Sequence, residues 1–76
     1  MKIGDKVRIT MVPKKLPDND LGTRQLFEQC LGRVFPIVGF QDELVELHVG
    51  KVLGEPDYMQ SIWIEPKFVE VIEISN

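Results

Sequence analysis

Two side chains have the chemistry for catalysis or metal binding, Cys30 and His48, and they are the only cysteine and the only histidine. A nucleophilic residue needs a neighbouring base, but His48 lies at an outward position of a predicted strand, whereas Cys30 lies on the apolar face of a predicted helix. A zinc site with these two residues would need carboxylates for its remaining ligands. We therefore predict a protein that is not an enzyme and has no metal site and no cofactor.

The aromatic residues of the C-terminal half are better candidates for a binding site. Trp63 has the opposite strand phase to Ile62 and Ile64, so it lies on the surface if those two isoleucines fill the core. Tyr58 lies five residues earlier. Aromatic side chains are enriched at interface hot spots, so these two predict a surface that binds a protein partner. In the alternative interpretation, a loop at residues 50–60 covers Trp63, which then belongs to a minor core.

Three further residues are predicted to border the aromatic pair. Glu46 and His48 occupy outward positions of a predicted strand at residues 44–49, and Arg33 supplies a basic rim. The expected partner is a protein, and the chain itself is expected to be a monomer or a weak homodimer.

The formal charge of −3 is divided unevenly along the chain. Residues 1–38 hold seven basic and four acidic residues, whereas residues 39–76 hold two basic and eight acidic residues. The asymmetry indicates either a nucleic-acid surface or a basic first strand paired with an acidic last strand. The nucleic-acid alternative would use Lys6, Arg8, Lys14, Lys15 and Arg33. The overall acidity disfavours it, because phosphate binding needs a dense basic footprint.

Length and composition place the chain among small globular domains. Its 76 residues are 43% hydrophobic, enough for one domain at residues 1–76 with a single core. No apolar run approaches the roughly 20 residues that a membrane helix needs, and no signal-peptide pattern is visible. With one cysteine there is no internal disulfide, so we expect a cytoplasmic protein that does not associate with membranes.

The first half of the chain predicts one strand and one helix. Residues 6–12 alternate polar and apolar side chains, which is typical of a half-buried strand, with three side chains facing the core: Val7, Ile9 and Met11. Breakers at residues 13–22 predict a polar loop. A short helix follows at about residues 23–31, with Thr23 as its N-cap and Gly32 as its left-handed C-terminal cap. Its apolar face consists of Leu26, Phe27, Cys30 and Leu31.

The second half predicts four more strands. Residues 33–41 are apolar on both faces, so their buried face stays open, and Pro36 and Gly39 indicate a bulge or a bend. The next strand, at residues 44–49, forms a hairpin with it and directs three residues inward: Val45, Leu47 and Val49. A strand at residues 61–65 follows. A single 3₁₀ turn at Pro66-Lys67-Phe68 then leads to a last strand whose alternation slips at Ile72.

Two segments resemble known small β-barrels. Residues 3–9, Ile-Gly-Asp-Lys-Val-Arg-Ile, resemble the opening strand of KOW domains and of the barrel in the nitrile hydratase β subunit. Residues 65–72, Glu-Pro-Lys-Phe-Val-Glu-Val-Ile, resemble the 3₁₀ turn and closing strand of SH3 domains. The resemblance implies an SH3-like five-stranded antiparallel barrel, here with a helix inserted between the first and second strands.

The function expected from residues and resemblance together is a non-enzymatic binding module. It would bind a protein partner through the outward surface around Trp63. The likeness to KOW domains implies RNA or ribosome association as an alternative. The likeness to the nitrile hydratase barrel implies a further alternative, an accessory subunit of a metalloenzyme complex.

Overall fold

The computed structural model describes residues 1–14 and 21–74 of the chain. Within these residues the fold is mainly β, with five antiparallel strands in one sheet, one α-helix and short 3₁₀ turns. The elements are β1 Lys6–Ile9, α1 Leu21–Cys30, β2 Val34–Gln41, β3 Leu44–His48, β4 Ser61–Ile64 and β5 Val69–Glu73. The strands lie in the order β4-β3-β2-β1-β5. The predicted mainly β class, with one helix between the first two strands, is confirmed.

β1 is shorter than the alternation of residues 6–12 predicts. It ends at Ile9, and the backbone N–H and the hydroxyl of Thr10 then donate to the Phe68 carbonyl at 2.9 and 3.0 Å. Met11 is 50% exposed, so its predicted position in the core is wrong. The strand has already ended before this residue, and the strand alternation therefore no longer determines where its side chain lies.

α1 covers most of the predicted helix at residues 23–31, but its ends differ. It begins at Leu21, so Thr23 lies within the first turn and the prediction of an N-cap there is wrong. A threonine has capping preference wherever it occurs, and that preference does not fix which residue begins the helix. Most of the loop predicted at residues 13–22 falls on residues 15–20, which lie outside the described residues.

The C-terminal end of α1 joins the helix to β1. Phe27 and Cys30 are buried, as the predicted apolar face requires, whereas Leu31 is 48% exposed because the helix ends one residue before it. Gly32 has φ +78°, which confirms the predicted left-handed cap. Its N–H donates to the Ile9 carbonyl at 2.8 Å.

β2 is one long strand that serves two neighbours. Its first residues pair with β1, and its last, from Ile37 to Gln41, pair with β3. The register shifts between Ile37 and Gly39, which confirms the predicted irregularity in a strand that contains Pro36 and a glycine. Phe35 and Ile37 are fully or almost fully buried. The buried face of β2, which the sequence does not determine, is therefore the one that carries these two side chains.

β3 and β4 form the second half of the sheet as predicted. A turn at Asp42 and Glu43 joins β2 to β3, with Asp42 at φ 54°. Both strands direct apolar side chains into the core: Val45, Leu47, Ile62 and Ile64. The connection between them contains two 3₁₀ turns, Gly50–Leu53 and Asp57–Met59. The backbone N–H of Val49, itself buried, donates to the Gln60 carbonyl at 2.8 Å and closes this connection.

β5 follows a 3₁₀ turn at Pro66–Phe68, as predicted. It pairs with β1, and the register shifts between Lys6 and Val7. Lys6 is paired with Glu73 and Val7 with Val71, so Ile72 is the additional residue, where the sequence alternation also slips. β4 and β5 are the two edges of the sheet, and the described strand pairings do not close it.

The buried residues of the sheet and of α1 form one core. It comprises Val7, Ile9, Phe27, Cys30, Phe35, Ile37, Val45, Leu47, Val49, Ile62, Ile64 and Val69. All of β1 to β5 and the helix contribute to it, so both edges of the sheet depend on the same set of buried contacts. Burying each of the larger side chains stabilises the fold by roughly 1.5–3 kcal/mol.

Candidate functional site

Trp63 lies on β4 with its side chain on the outward face of the sheet. Its neighbours in sequence, Ile62 and Ile64, are buried, and strand alternation directs the indole the other way. The side chain is 43% exposed. Trp63 is also not among the residues packed against the core, so the interpretation of Trp63 as a minor core residue is wrong.

Glu46 stands directly opposite Trp63 on β3, and His48 is opposite Ser61. Side chains that face each other across antiparallel strands have Cβ atoms about 4.5–5.5 Å apart, and diagonal neighbours are about 7–8 Å apart. The strand register therefore brings Trp63, Glu46 and His48 to one outward surface, which we call the Trp63 face.

The carboxylate of Glu46 turns away from Trp63 and lies over β2. Its Oε1 atom is 3.0 Å from the position that a Cβ atom would occupy at Gly39, the residue paired with Glu46 on β2. Its Oε2 atom lies 3.8 Å from Nε2 of His48, a pair that is ionic only when the histidine is protonated. The absence of a side chain at Gly39 gives the carboxylate its space. This role is not predictable from the sequence, because a glycine in a strand indicates only a bulge or a bend.

Tyr58 lies in the 3₁₀ turn Asp57–Met59, just before β4, and is 69% exposed. That turn packs against Gly50, where an added Cβ would lie 2.0 Å from the Pro56 carbonyl oxygen. The close backbone contact holds the turn beside the end of β3. Tyr58 is thus an exposed aromatic side chain carried on a segment whose position is fixed by backbone packing.

Arg33 lies at the far end of β2 from the Trp63 face. It is exposed and sits between α1 and β2, where its N–H donates to the Cys30 carbonyl at 2.9 Å. Glu46 pairs with Gly39, six residues further along the chain, which corresponds to as much as about 20 Å of extended strand. The structure therefore does not bring Arg33 to the Trp63 face as a basic rim.

The residues of the nucleic-acid alternative are dispersed and partly paired. Lys6 makes an ion pair of 3.6 Å with Glu73, and Arg8 stands opposite Glu70. This confirms the interpretation that the basic first strand pairs with the acidic last strand. Lys14 is exposed and its carbonyl accepts a hydrogen bond of 3.1 Å from Arg24. Lys15 lies outside the described residues.

Cys30 is fully buried. Burial raises the pKa of its thiol to about 11, although nearby Arg33 lowers the pKa in part. A thiol that stays protonated at neutral pH is a poor nucleophile. The residue therefore packs as a small apolar side chain in this structure.

The described residues were also searched for a metal site, a membrane-spanning helix and a pocket. No group of three or more potential metal ligands occurs among the described residues. None of the described helices has the length and apolarity to cross a membrane. A shallow groove of about 480 Å³ lies between the segment after β1 and the 3₁₀ turn before β5, lined by Met11, Pro13, Lys14, Glu65, Lys67 and Phe68.

A scan against models of protein families found no match to this chain, and searches of curated proteins and of solved structures found none either.

Proposed function

We propose that this chain is a non-enzymatic module with an SH3-like barrel fold that binds a protein partner through the Trp63 face. The barrel proposal is supported by the strand order β4-β3-β2-β1-β5 and by the 3₁₀ turn Pro66–Phe68, which connects strands at opposite edges of the sheet. A chain that passes from one edge to the other in a single short turn requires a sheet curved almost onto itself.

The observation that carries the binding proposal is the exposure of Trp63. An indole that is 43% exposed on β4, with Tyr58 exposed nearby in sequence, leaves a large apolar area in contact with water. Covering such a side chain gains about 25 cal/mol for each square ångström of apolar surface removed from water. Tryptophan and tyrosine are also among the residues that most often dominate protein interfaces.

The lack of enzymatic activity is part of the proposal and has its own support. The buried Cys30 is not available as a nucleophile. His48 has Glu46 as a neighbour and stands opposite Ser61, but no described hydrogen bond joins the imidazole to the Ser61 hydroxyl. A role as an accessory subunit of a metalloenzyme has no specific support in the described residues. RNA binding ranks below protein binding because Lys6 and Arg8 face the acidic residues of β5.

The test is affinity capture from cell extract with the wild-type chain and with Trp63→Ala. The matched control is Ile72→Ala, which removes another exposed apolar side chain, 39% exposed, from the opposite edge strand. We expect at least one protein to be lost with Trp63→Ala and retained with Ile72→Ala. Identical sets of captured proteins for all three chains would refute the proposed surface.

A second measurement examines the surface without a partner. Trp63 is the only tryptophan, so acrylamide quenching of the intrinsic fluorescence reports on this residue alone. We expect efficient quenching in the folded state, close to half or more of that in the unfolded chain. A fully shielded indole would contradict the Trp63 face as a binding surface.

A further inference from the structure

The segment that carries the Trp63 face is acidic, although one of its carboxylates, Glu65, makes an ion pair with Lys67 at 3.4 Å. Residues 39–65 contain six acidic residues and one lysine, a formal charge of −5. The lysine, Lys51, directs its Nζ atom to the Val34 carbonyl at 3.0 Å and lies 4.9 Å from the centre of the Phe35 ring. Its charge is therefore held at the β1 side of β2, and it is not positioned to neutralise Glu46 over Gly39.

The Trp63 face combines an aromatic ring on β4 with a carboxylate that lies over β2. The indole projects from β4, whereas the Glu46 carboxylate lies over β2 beside Gly39. Two strand spacings, about 10 Å, separate these strands. A cation placed above β3 would contact the indole through a cation–π interaction and the carboxylate through a charged hydrogen bond.

We propose that the partner presents a basic segment and that an arginine side chain of that segment occupies the Trp63 face, between Trp63 and Glu46. This inference rests on the proposed function and adds the chemical class of the partner. Arginine fits better than lysine, because the planar guanidinium stacks on an aromatic ring while its N–H groups bind a carboxylate. The acidic surroundings also attract a basic segment at long range.

The experiment titrates the wild-type chain with the peptide acetyl-Arg-Gly-Arg-Gly-Arg-amide at low ionic strength and follows the fluorescence of Trp63. The same peptide with lysine, and with glutamine, in place of arginine serves for comparison. We expect saturable binding of the arginine peptide, weaker binding of the lysine peptide and none of the glutamine peptide. Equal binding of the arginine and lysine peptides would overturn the assignment of arginine.

Two charge variants separate the site from the general acidity of the chain. Glu46→Gln and Glu28→Gln change the net charge equally, but Glu28 is an exposed residue of α1 and lies outside the Trp63 face. We expect Glu46→Gln to raise the dissociation constant of the arginine peptide about three- to fivefold and Glu28→Gln to leave it unchanged. Circular dichroism melting curves verify that both variants fold. Equal weakening by the two variants would refute a local site.

The two proposals fail in different ways. No arginine-peptide binding, together with a captured protein that depends on Trp63, would overturn the basic partner and keep the protein-binding face. Captured proteins that do not depend on Trp63 would overturn the proposed function itself, whatever the peptide does.

Discussion

The two sides of the sheet differ in what stands opposite the outward glutamates of their strands. At the β5 edge, Glu73 makes an ion pair with Lys6 at 3.6 Å, and Glu70 stands opposite Arg8. On the β4 side, Glu46 stands opposite Trp63, and the nearest described side-chain nitrogen is His48 Nε2 at 3.8 Å from its carboxylate. The same cross-strand geometry thus neutralises charge at one edge and places a carboxylate opposite an exposed aromatic ring at the other.

The difference separates what the fold needs from what it leaves for a partner. Opposite charges across β1 and β5 satisfy each other and contribute modestly to stability. An exposed tryptophan opposite a glutamate contributes less to stability, because no described ion pair or hydrogen bond joins the two side chains. Exposed residues that contribute little to stability are the better candidates for binding. We therefore assign the binding surface to the β4 side.

The largest expected effect is a loss of stability when the packing of the 3₁₀ turn that carries Tyr58 is disrupted. In Gly50→Ala, the new Cβ would lie 2.0 Å from the backbone oxygen of Pro56, so the two 3₁₀ turns must separate. We expect the free energy of unfolding to fall by about 3 kcal/mol, measured by urea denaturation followed by circular dichroism.

Gly54→Ala is the matched control for this prediction. Gly54 lies in the same connection and has φ +74°, but a Cβ there would meet nothing within 4 Å. Only the left-handed backbone opposes the substitution, at a cost of about 1 kcal/mol. A loss for Gly54→Ala as large as that for Gly50→Ala would show that backbone conformation, and not the contact with Pro56, determines the stability of this region.

The buried and exposed faces of β3 and β4 were predictable from the sequence, whereas the end of β1 was not. Alternation in β3 correctly predicted Val45 and Leu47 in the core, and alternation in β4 correctly put Ile62 and Ile64 on the face opposite to Trp63. A side chain's face follows directly from its position in a regular strand. The same rule failed at Met11, because the local pattern does not indicate the residue at which pairing with the neighbouring strand ends.

The site was predictable in part for the same reason. The outward directions of Trp63, Glu46 and His48 follow from alternation, but which of them face each other depends on register between strands. Arg33 was misplaced because its distance from Trp63 is set by the order of the strands. The position of the Glu46 carboxylate over Gly39 is not predictable from the sequence, because a glycine indicates freedom of the backbone and not which side chain lies over it.

The second prediction concerns the core that both edges share. Burial raises the pKa of Cys30 to about 11, whereas a thiol in an unfolded chain ionises near pH 8.5. Between these values the unfolded state binds fewer protons than the folded state, so the free energy of unfolding decreases as the pH rises. We expect the wild type to lose stability from pH 8 to pH 10 more steeply than Cys30→Ala, in urea denaturation.

Parallel pH profiles for the two chains would contradict that prediction. If the two edges belong to one cooperative unit, Trp63 fluorescence and far-ultraviolet circular dichroism will report the same midpoint at each pH. Separate midpoints would mean that the β4 side unfolds independently of the β1–β5 side. The two edges would then belong to two separate folding units.

The third prediction moves the Glu46 carboxylate without removing its charge. In Gly39→Ala, the new methyl group meets Glu46 Oε1 at 3.0 Å, and a flexible side chain can move away. We expect the free energy of unfolding to change by less than about 1 kcal/mol, because alanine also restricts the unfolded chain. The affinity for the arginine peptide should fall, as in Glu46→Gln. Unchanged affinity would show that the carboxylate's position over β2 does not matter for binding.

The smallest expected effect tests the comparison most directly. The Lys6–Glu73 pair has side chains that are 50% and 66% exposed, so solvent screens it, and a double-mutant cycle with Lys6→Gln and Glu73→Gln should give a coupling energy of about 0.2–1 kcal/mol that decreases in salt. Glu46→Gln should change the free energy of unfolding by no more than about 0.5 kcal/mol, since Glu46 lacks a permanent cation among its described contacts. If Glu46→Gln destabilises the chain more than Glu73→Gln does, the carboxylate over Gly39 stabilises the fold. Glu46 on the β4 side would then stabilise the fold, as Glu73 does at the β5 edge. The argument that Glu46 is left available for a partner would no longer hold.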